Sequence, residues 1–226
     1  MLGDRIQTNI LSMRILPNAD PALLEKLGAQ PGERSLGLFT TDCDDVSYAA
    51  LDEATKKAEV RVVYARSMYA GSSNASTRLA GEFIGILAGP DPEQLRAGLD
   101  AAAAYIANDA AFYSADANDS VVYFAHCISR TGTYLSEQAG APAGTAMAYL
   151  IAPPLEATVA LDAALKAAEV ELRVWYGPPS ETNFAGALLT GEQAACQAAC
   201  EAFADEVCRV AAEPTLKGQP CTQSKT

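Results

Sequence analysis

The sequence predicts two tandem α/β domains, because one order of strands and helices occurs twice along its 226 residues. Residues 51–60 and 161–170 are the clearest repeated pair, with seven of ten positions identical at a spacing of 110 residues. Residues 80–89 and 182–191 form a second pair at a spacing of 102. Strand-like stretches alternate with helix-like ones in both copies, which favours a sheet flanked by helices in each.

Each copy is predicted to contain the same elements in the same order. It begins with a strand rich in β-branched and aromatic residues, at 9–15 and 120–128, and in the first copy a helix follows at 21–26. The later elements are strands at 35–41 and 145–152, Ala-rich helices at 50–58 and 160–168, strands at 60–66 and 170–176, strands at 80–88 and 184–190, and helices that end near residues 106 and 211.

The two spacings differ by eight residues, so the first copy contains a short insertion. The insertion falls in residues 68–78, a run rich in Gly, Ser and Asn that is typical of an exposed loop. We therefore divide the chain into a first domain at 1–110, a second domain at 111–213 and a polar, flexible tail at 214–226.

The bulk composition excludes several classes of partner. The formal net charge is −12, which repels nucleic-acid phosphates and anionic lipid heads, so a cationic or neutral polar ligand fits better. No stretch approaches the roughly 20 apolar residues of a membrane-spanning helix, and no secretory signal is visible at the start. The six cysteines form no CxxC pair, and we expect them to be reduced and mostly buried.

Several uncommon sequence strings resemble one known family over nearly all of residues 5–212. They include residues 35–38, 44–46, 52–56, 65–71, 129–132, 152–157 and 181–184. These strings are similar to those of the trimeric, ethanolamine-utilisation members of the bacterial microcompartment shell proteins. The resemblance implies two tandem, circularly permuted shell domains with ferredoxin-like sheets, and a homotrimer that forms a flat pseudohexamer beside other shell proteins. It also implies a gated central pore, a location in the microcompartment shell in the cytoplasm, no enzymatic activity and no cofactor.

The resemblance further implies that ethanolamine binds in a small pore between the two domains. The implied site consists of Asp44, Asp45, Glu82, Phe112, Thr182, Asn183 and Phe184. Its chemistry suits the ligand, because carboxylates offset an ammonium group, an aromatic ring offers a π face, and Thr or Asn side chains bond a hydroxyl. We interpret Asp44 and Asp45 as the end of a strand and Glu82 as part of an apolar strand, at a position equivalent to Phe184.

Two other functions remain open at this point. An enzyme that uses Asp44, Asp45 and Glu82 as acid and base groups is one, although the sequence offers neither a nucleophile–base set nor a phosphate loop. A soluble sensor that binds a small molecule without tiling is the other. In the shell-protein interpretation, the gate of the central pore is expected in the insertion at 68–78.

The histidine and cysteine residues favour structural roles over a metal site. His126 and Cys127 are adjacent on a predicted strand and so point to opposite faces, which makes shared ligation of one ion unfavourable. Cys196 and Cys200 lie one helical turn apart, but without further clustered ligands we interpret them as buried packing residues. The sequence therefore predicts no metal site.

Overall fold

The computed structural model describes residues 2–68, 78–178 and 183–215, and its strands form two antiparallel sheets. The strands in chain order are β1 (Arg5–Ile6), β2 (Ile10–Leu16), β3 (Ser35–Thr41), β4 (Arg61–Ser67), β5 (Phe83–Gly89), β6 (Phe112–Ser114), β7 (Val122–Ile128), β8 (Ala146–Ala152), β9 (Val170–Tyr176) and β10 (Ala185–Gly191). The first sheet has the order β2-β3-β5-β4, and the second has the order β1-β6-β7-β8-β10-β9.

Helices cover these sheets. They are α1 (Pro21–Lys26), α2 (Asp44–Lys57), α3 (Pro92–Asn108), α4 (Thr133–Ala139), α5 (Pro154–Ala167) and α6 (Gln193–Ala212), with a 3₁₀ turn at Arg78–Ala80. Local sequence sets their starts: Asp91 precedes Pro92 and its carboxylate accepts the amides of Glu93 and Gln94, which caps α3. In α1 the Asp20 carboxylate accepts the Ala22 amide in the same way. No helix in the described part of the chain is long and apolar enough to cross a bilayer.

The predicted repeat and fold class are confirmed. The order β2-β3-β5-β4 of the first sheet recurs as β7-β8-β10-β9 in the second, so each copy contributes the same four strands. Helix α4 follows β7 as α1 follows β2, and the sequence did not predict it. Strands β1 and β6 were also not predicted, and β1 crosses the proposed boundary at residue 110 to pair with β6.

The buried apolar side chains form two core layers, one on each face of β8. Strand β8 is buried on both faces: Met147 and Tyr149 belong to a core shared with α2 and α3, whereas Ala148 and Leu150 face the Ala-rich core under α5 and α6. The first core also contains Phe39 of the first sheet. Helices α2 and α3 therefore lie between the two sheets, which makes the two copies parts of one packed unit.

A buried carboxylate joins the copies through α4. Asp52 of α2 is fully buried and accepts the amides of Gly132 at 2.6 Å and Leu135 at 2.9 Å, at the start of α4. A Cβ atom at Gly132 would overlap Thr55 Oγ1 and the Asp52 carbonyl, so only glycine allows α4 to approach so closely. Asp52 therefore holds a helix of the second copy onto a helix of the first.

Two predicted segments lie largely outside the described residues. The insertion at 68–78 is described only at its ends, and the tail at 214–226 only at residues 214 and 215. The gate expected in the insertion therefore remains a prediction.

Candidate functional site

A cavity of about 470 Å³ lies where the two copies meet, and we call it the carboxylate cavity. Residues from both copies line it, including the segment that follows β1, the end of β4 and the residues before β5 and β10. Five of the seven predicted site residues are among them: Asp44, Glu82, Phe112, Asn183 and Phe184. The predicted site thus coincides with a cavity that neither copy forms alone.

Asp44 and Asp45 lie in the first turn of α2, and our interpretation of them as a strand end was wrong. Strand β3 ends at Thr41, and the helix begins at Asp44 instead of near residue 50, because acidic side chains are favoured where a helix exposes its free amides. The Asp44 carboxylate accepts Ser67 Oγ at 2.7 Å and the Asp45 amide at 2.9 Å. The Asp45 carboxylate accepts Tyr149 Oη at 2.6 Å.

These two carboxyl groups are almost completely buried, with exposed fractions of 7% for Asp44 and 6% for Asp45. Burial raises the pKa of Asp44, and the Ser67 bond offsets only part of this rise. The pKa of Asp45 is raised further, first by burial and then by the charge of Asp44. No Lys or Arg in the described residues forms an ion pair with either group, so the pair holds protons more tightly than an exposed aspartate does.

Glu82 precedes β5 instead of lying within it, which corrects our placement of this residue in the strand. Its amide bonds the Thr41 carbonyl at 2.8 Å, and Gly81 before it has φ +69°, where a Cβ atom would overlap that carbonyl. This left-handed glycine turns the half-buried Glu82 side chain into the cavity lining. Burial raises the pKa of Glu82, and the charges of Asp44 and Asp42 raise it further.

Aromatic rings form the opposite part of the cavity. Phe112 of β6 is buried, stacks on Phe124 with ring centroids 5.4 Å apart, and lies 6.0 Å from the Phe184 ring.

Asn183 is exposed and has φ +65°, a conformation that asparagine tolerates better than most residues. Glu82 and Phe184 occupy equivalent positions, as the repeat predicted, but each directly precedes its strand instead of lying within it. Thr182 lies outside the described residues.

Asp45 is the predicted residue that does not line this cavity. It lines a neighbouring cavity of about 540 Å³, which shares Asp44 and Phe184 with the first. Sequence reasoning missed Ser67 and Tyr149, which orient the two aspartates, because β4 and β8 reach α2 only through the tertiary fold.

His126, Cys127, Cys196 and Cys200 lie in packed surroundings. His126 Nε2 lies 2.5 Å from Tyr105 Oη, and burial lowers the pKa of His126 to about 4. The His126 imidazole is therefore neutral near pH 7 and forms its hydrogen bond with the Tyr105 hydroxyl group. Cys127 points to the other face of β7, and Cys196 and Cys200 are buried in the core under α6. No group of three or more His, Cys, Asp or Glu side chains suited to a metal ion occurs among the described residues.

Comparison with known proteins identifies the family. A family model described as "BMC domain" matches residues 35–117. The bacterial microcompartment shell protein EutL of Clostridium perfringens is 60% identical over 214 residues, which cover 95% of this chain and 99% of that protein. The chain belongs to the EutL family of bacterial microcompartment shell proteins.

Solved structures agree with this membership. The crystal structure of EutL from Leptotrichia buccalis is 60% identical, covers 95% of this chain and 99% of its own, and superposes with a TM-score of 0.93. A trimeric shell protein, PduB, shares the fold at 21% identity and a TM-score of 0.74, over 91% of this chain and 90% of its own. As a EutL family member, the chain is a tandem-domain shell component, and its relatives are named as shell proteins and not as enzymes.

Proposed function

We propose that this shell protein binds ethanolamine in the carboxylate cavity, and that three copies form a pseudohexameric tile whose gated central pore passes metabolites or cofactors. The observation that carries the ligand assignment is the meeting of Asp44, Glu82 and the Phe112 ring in one cavity between the copies. The related protein from Leptotrichia buccalis is described as an ethanolamine utilization protein, which supports the same ligand.

The cavity offers a suitable partner for each part of ethanolamine. Asp44 and Glu82 accept hydrogen bonds from the ammonium group, and no described Lys or Arg forms an ion pair that competes for them. The rings of Phe112 and Phe184 cover the methylene groups and present a π face to the cation. Asn183 also lines the cavity, and its amide group can bond the hydroxyl group of the ligand.

The Glu82→Gln variant is expected to bind ethanolamine at least tenfold more weakly than the wild type, because an amide cannot offset the ammonium charge. Isothermal titration calorimetry on the full chain measures this difference. The control is Glu93→Gln, which removes the same charge from an exposed site in the first turn of α3 and should retain wild-type affinity. Equal ethanolamine affinity of the wild type and the Glu82→Gln variant would show that Glu82 does not bind the ligand.

The trimer is supported by the repeat. Two similar copies in each chain place six similar units around a three-fold axis, and such a ring tiles a plane as a hexamer does. Native mass spectrometry should give a species of three 23.6-kDa chains, and negative-stain microscopy should show sheets or pseudohexagonal tiles. Discrete monomers at all concentrations would instead favour the soluble sensor.

The gate is assigned to the insertion at 68–78, which is present only in the first copy. Met68, at the start of this segment, lines the carboxylate cavity and donates its amide to the Glu82 carbonyl at 2.6 Å. A ligand next to Glu82 is therefore close to the start of the proposed gate. Ethanolamine can bias the pore only if it binds the open and closed forms with different affinity.

A further inference from the structure

The second cavity differs from the carboxylate cavity in its walls, and we call it the tyrosine cavity. Its lining includes the aromatic side chains of Tyr48, Tyr134, Tyr149, Trp175 and Tyr176, which come from α2, α4, β8 and β9. Its volume of about 540 Å³ is large enough for a small organic ligand.

The tyrosine rings are arranged as two pairs. The rings of Tyr48 and Tyr134 are nearly parallel, with centroids 6.2 Å apart and an interplanar angle of 20°. Those of Tyr149 and Tyr176 have centroids 6.4 Å apart and an angle of 37°. The lining therefore brings several aromatic rings to one volume, and the electron-rich faces of such rings attract a bulky cation.

Two buried carboxyl groups also line this cavity. Asp45 accepts Tyr149 Oη at 2.6 Å, and Asp44 accepts Ser67 Oγ, which in turn lies 2.8 Å from Tyr48 Oη. These bonds use the hydroxyl groups of Tyr48 and Tyr149, so these two tyrosines offer a ligand ring atoms and not free hydroxyl groups. A methylated ammonium suits such a surface better than a primary ammonium, because it needs no hydrogen-bond acceptors and gains from burial of its methyl groups.

One positive side chain also lines the tyrosine cavity. Arg66 is exposed, and its guanidinium group lies 6.0 Å from the centroid of Tyr64, a ring that is not part of the cavity. Arg66 forms no ion pair with any carboxylate among the described residues. It is therefore available to an anionic group on the same ligand, and a guanidinium matches phosphate geometry well.

We propose that the tyrosine cavity binds a zwitterion with a trimethylammonium head, held among the tyrosine rings near Asp44 and Asp45, and a phosphate group, held by Arg66. This site adjoins the proposed ethanolamine site and differs from it in its walls, although the two cavities share Asp44 and Phe184. Its existence does not depend on ethanolamine binding.

The single tryptophan provides a direct readout. Trp175 is 60% exposed, lines the tyrosine cavity and does not line the carboxylate cavity. Phosphocholine should change the tryptophan fluorescence of the full chain saturably, and choline should do so at least threefold more weakly because it lacks the phosphate. 3,3-Dimethylbutanol, the neutral isostere of choline, should bind at least tenfold more weakly than choline. No saturable change with phosphocholine, or equal binding of the neutral isostere, would overturn the proposal.

Point variants test whether phosphocholine binds in the tyrosine cavity. Tyr134→Leu should lower phosphocholine affinity at least tenfold, whereas the control Tyr113→Leu, on a ring outside both cavities, should not. Arg66→Gln should abolish the preference for phosphocholine over choline. Tyr176→Leu replaces Tyr134→Leu if the latter fails to fold, as judged by circular dichroism. Unchanged affinity in the folded tyrosine variant would place the ligand elsewhere.

Glu82→Gln separates this proposal from the proposed function. The substitution should leave phosphocholine affinity within about threefold of the wild type, because Glu82 lines only the carboxylate cavity. If ethanolamine fails to bind while phosphocholine binds, only the ethanolamine assignment is wrong. The converse result would overturn only the tyrosine-cavity proposal.

Discussion

Ethanolamine affinity is expected to fall as the pH is lowered from 8 into the acid range, beginning above the ordinary pKa range of carboxyl groups. The ligand keeps its ammonium charge over this range, so the change comes from the protein. Burial raises the pKa of Asp44 and Glu82, the two carboxyl groups proposed to hold the ammonium group, and these groups offset the cation only when they are ionised. Below its raised pKa, each group binds a proton that competes with the ligand. Every proton released on binding therefore lowers the affinity by up to about tenfold per pH unit.

Calorimetry at several pH values, repeated in two buffers with different ionisation enthalpies, measures this proton release. Other groups near the cluster are Asp42, whose carboxylate is bonded to Asn9, and the Cys43 thiol, whose pKa is raised by burial. Cys43 stays neutral throughout the range. The Glu82→Gln variant should show a smaller pH slope, since it lacks one titrating group. An affinity independent of both pH and buffer would show that the ionised cluster does not bind the ligand.

The Asp52→Ala variant is expected to lose about 3 kcal/mol of unfolding free energy, because two buried amides would lose their acceptor. These are the amides of Gly132 and Leu135 at the start of α4, where water cannot easily replace the carboxylate. Urea denaturation followed by circular dichroism measures the loss.

The repeat supplies a matched control for this prediction. Asp162 occupies the equivalent position in the second copy, but its side chain is 65% exposed, and among the described residues it pairs with Lys166 at 2.6 Å. Exposed pairs of this kind contribute little, so Asp162→Ala should cost less than about 1 kcal/mol. Similar losses for the two variants would show that the bonds from Asp52 to α4 do not stabilise the fold.

The sequence predicted the parts of the fold that depend on local pattern. The spacing of 110 residues and the alternation of apolar strands with Ala-rich helices identified both copies, and the strand at 35–41 was placed without error. It did not predict β1 and β6, because two- and three-residue strands contain no periodicity and form only through pairing with distant residues. The start of α2 was missed because acidic first-turn residues also resemble the polar end of a strand.

The candidate site was predicted less completely than the fold. Resemblance to a family identified the residues of the carboxylate cavity, but a resemblance contains no distances and assigned Asp45 to the same cavity as Glu82. The pairing of β8 with β10 and β7 fixes where the Tyr149 hydroxyl meets Asp45, and that register is a tertiary property. The tyrosine cavity was not predicted, since its rings come from four elements separated along the chain.

The pairing of β1 with β6 affects when the second sheet can be completed during synthesis. Arg5 emerges early from the ribosome, yet its guanidinium group bonds the Asn108 carbonyl, 103 residues later, and its strand partner is β6. Strand β1 must therefore wait for β6, which is synthesised after it. The same strand pairs Ile6 with Phe112, so a chain trimmed at its beginning would lose the support of a cavity ring. If the two halves were synthesised separately, β1 and β6 would each lack the other strand. The two copies therefore benefit from being translated as one polypeptide.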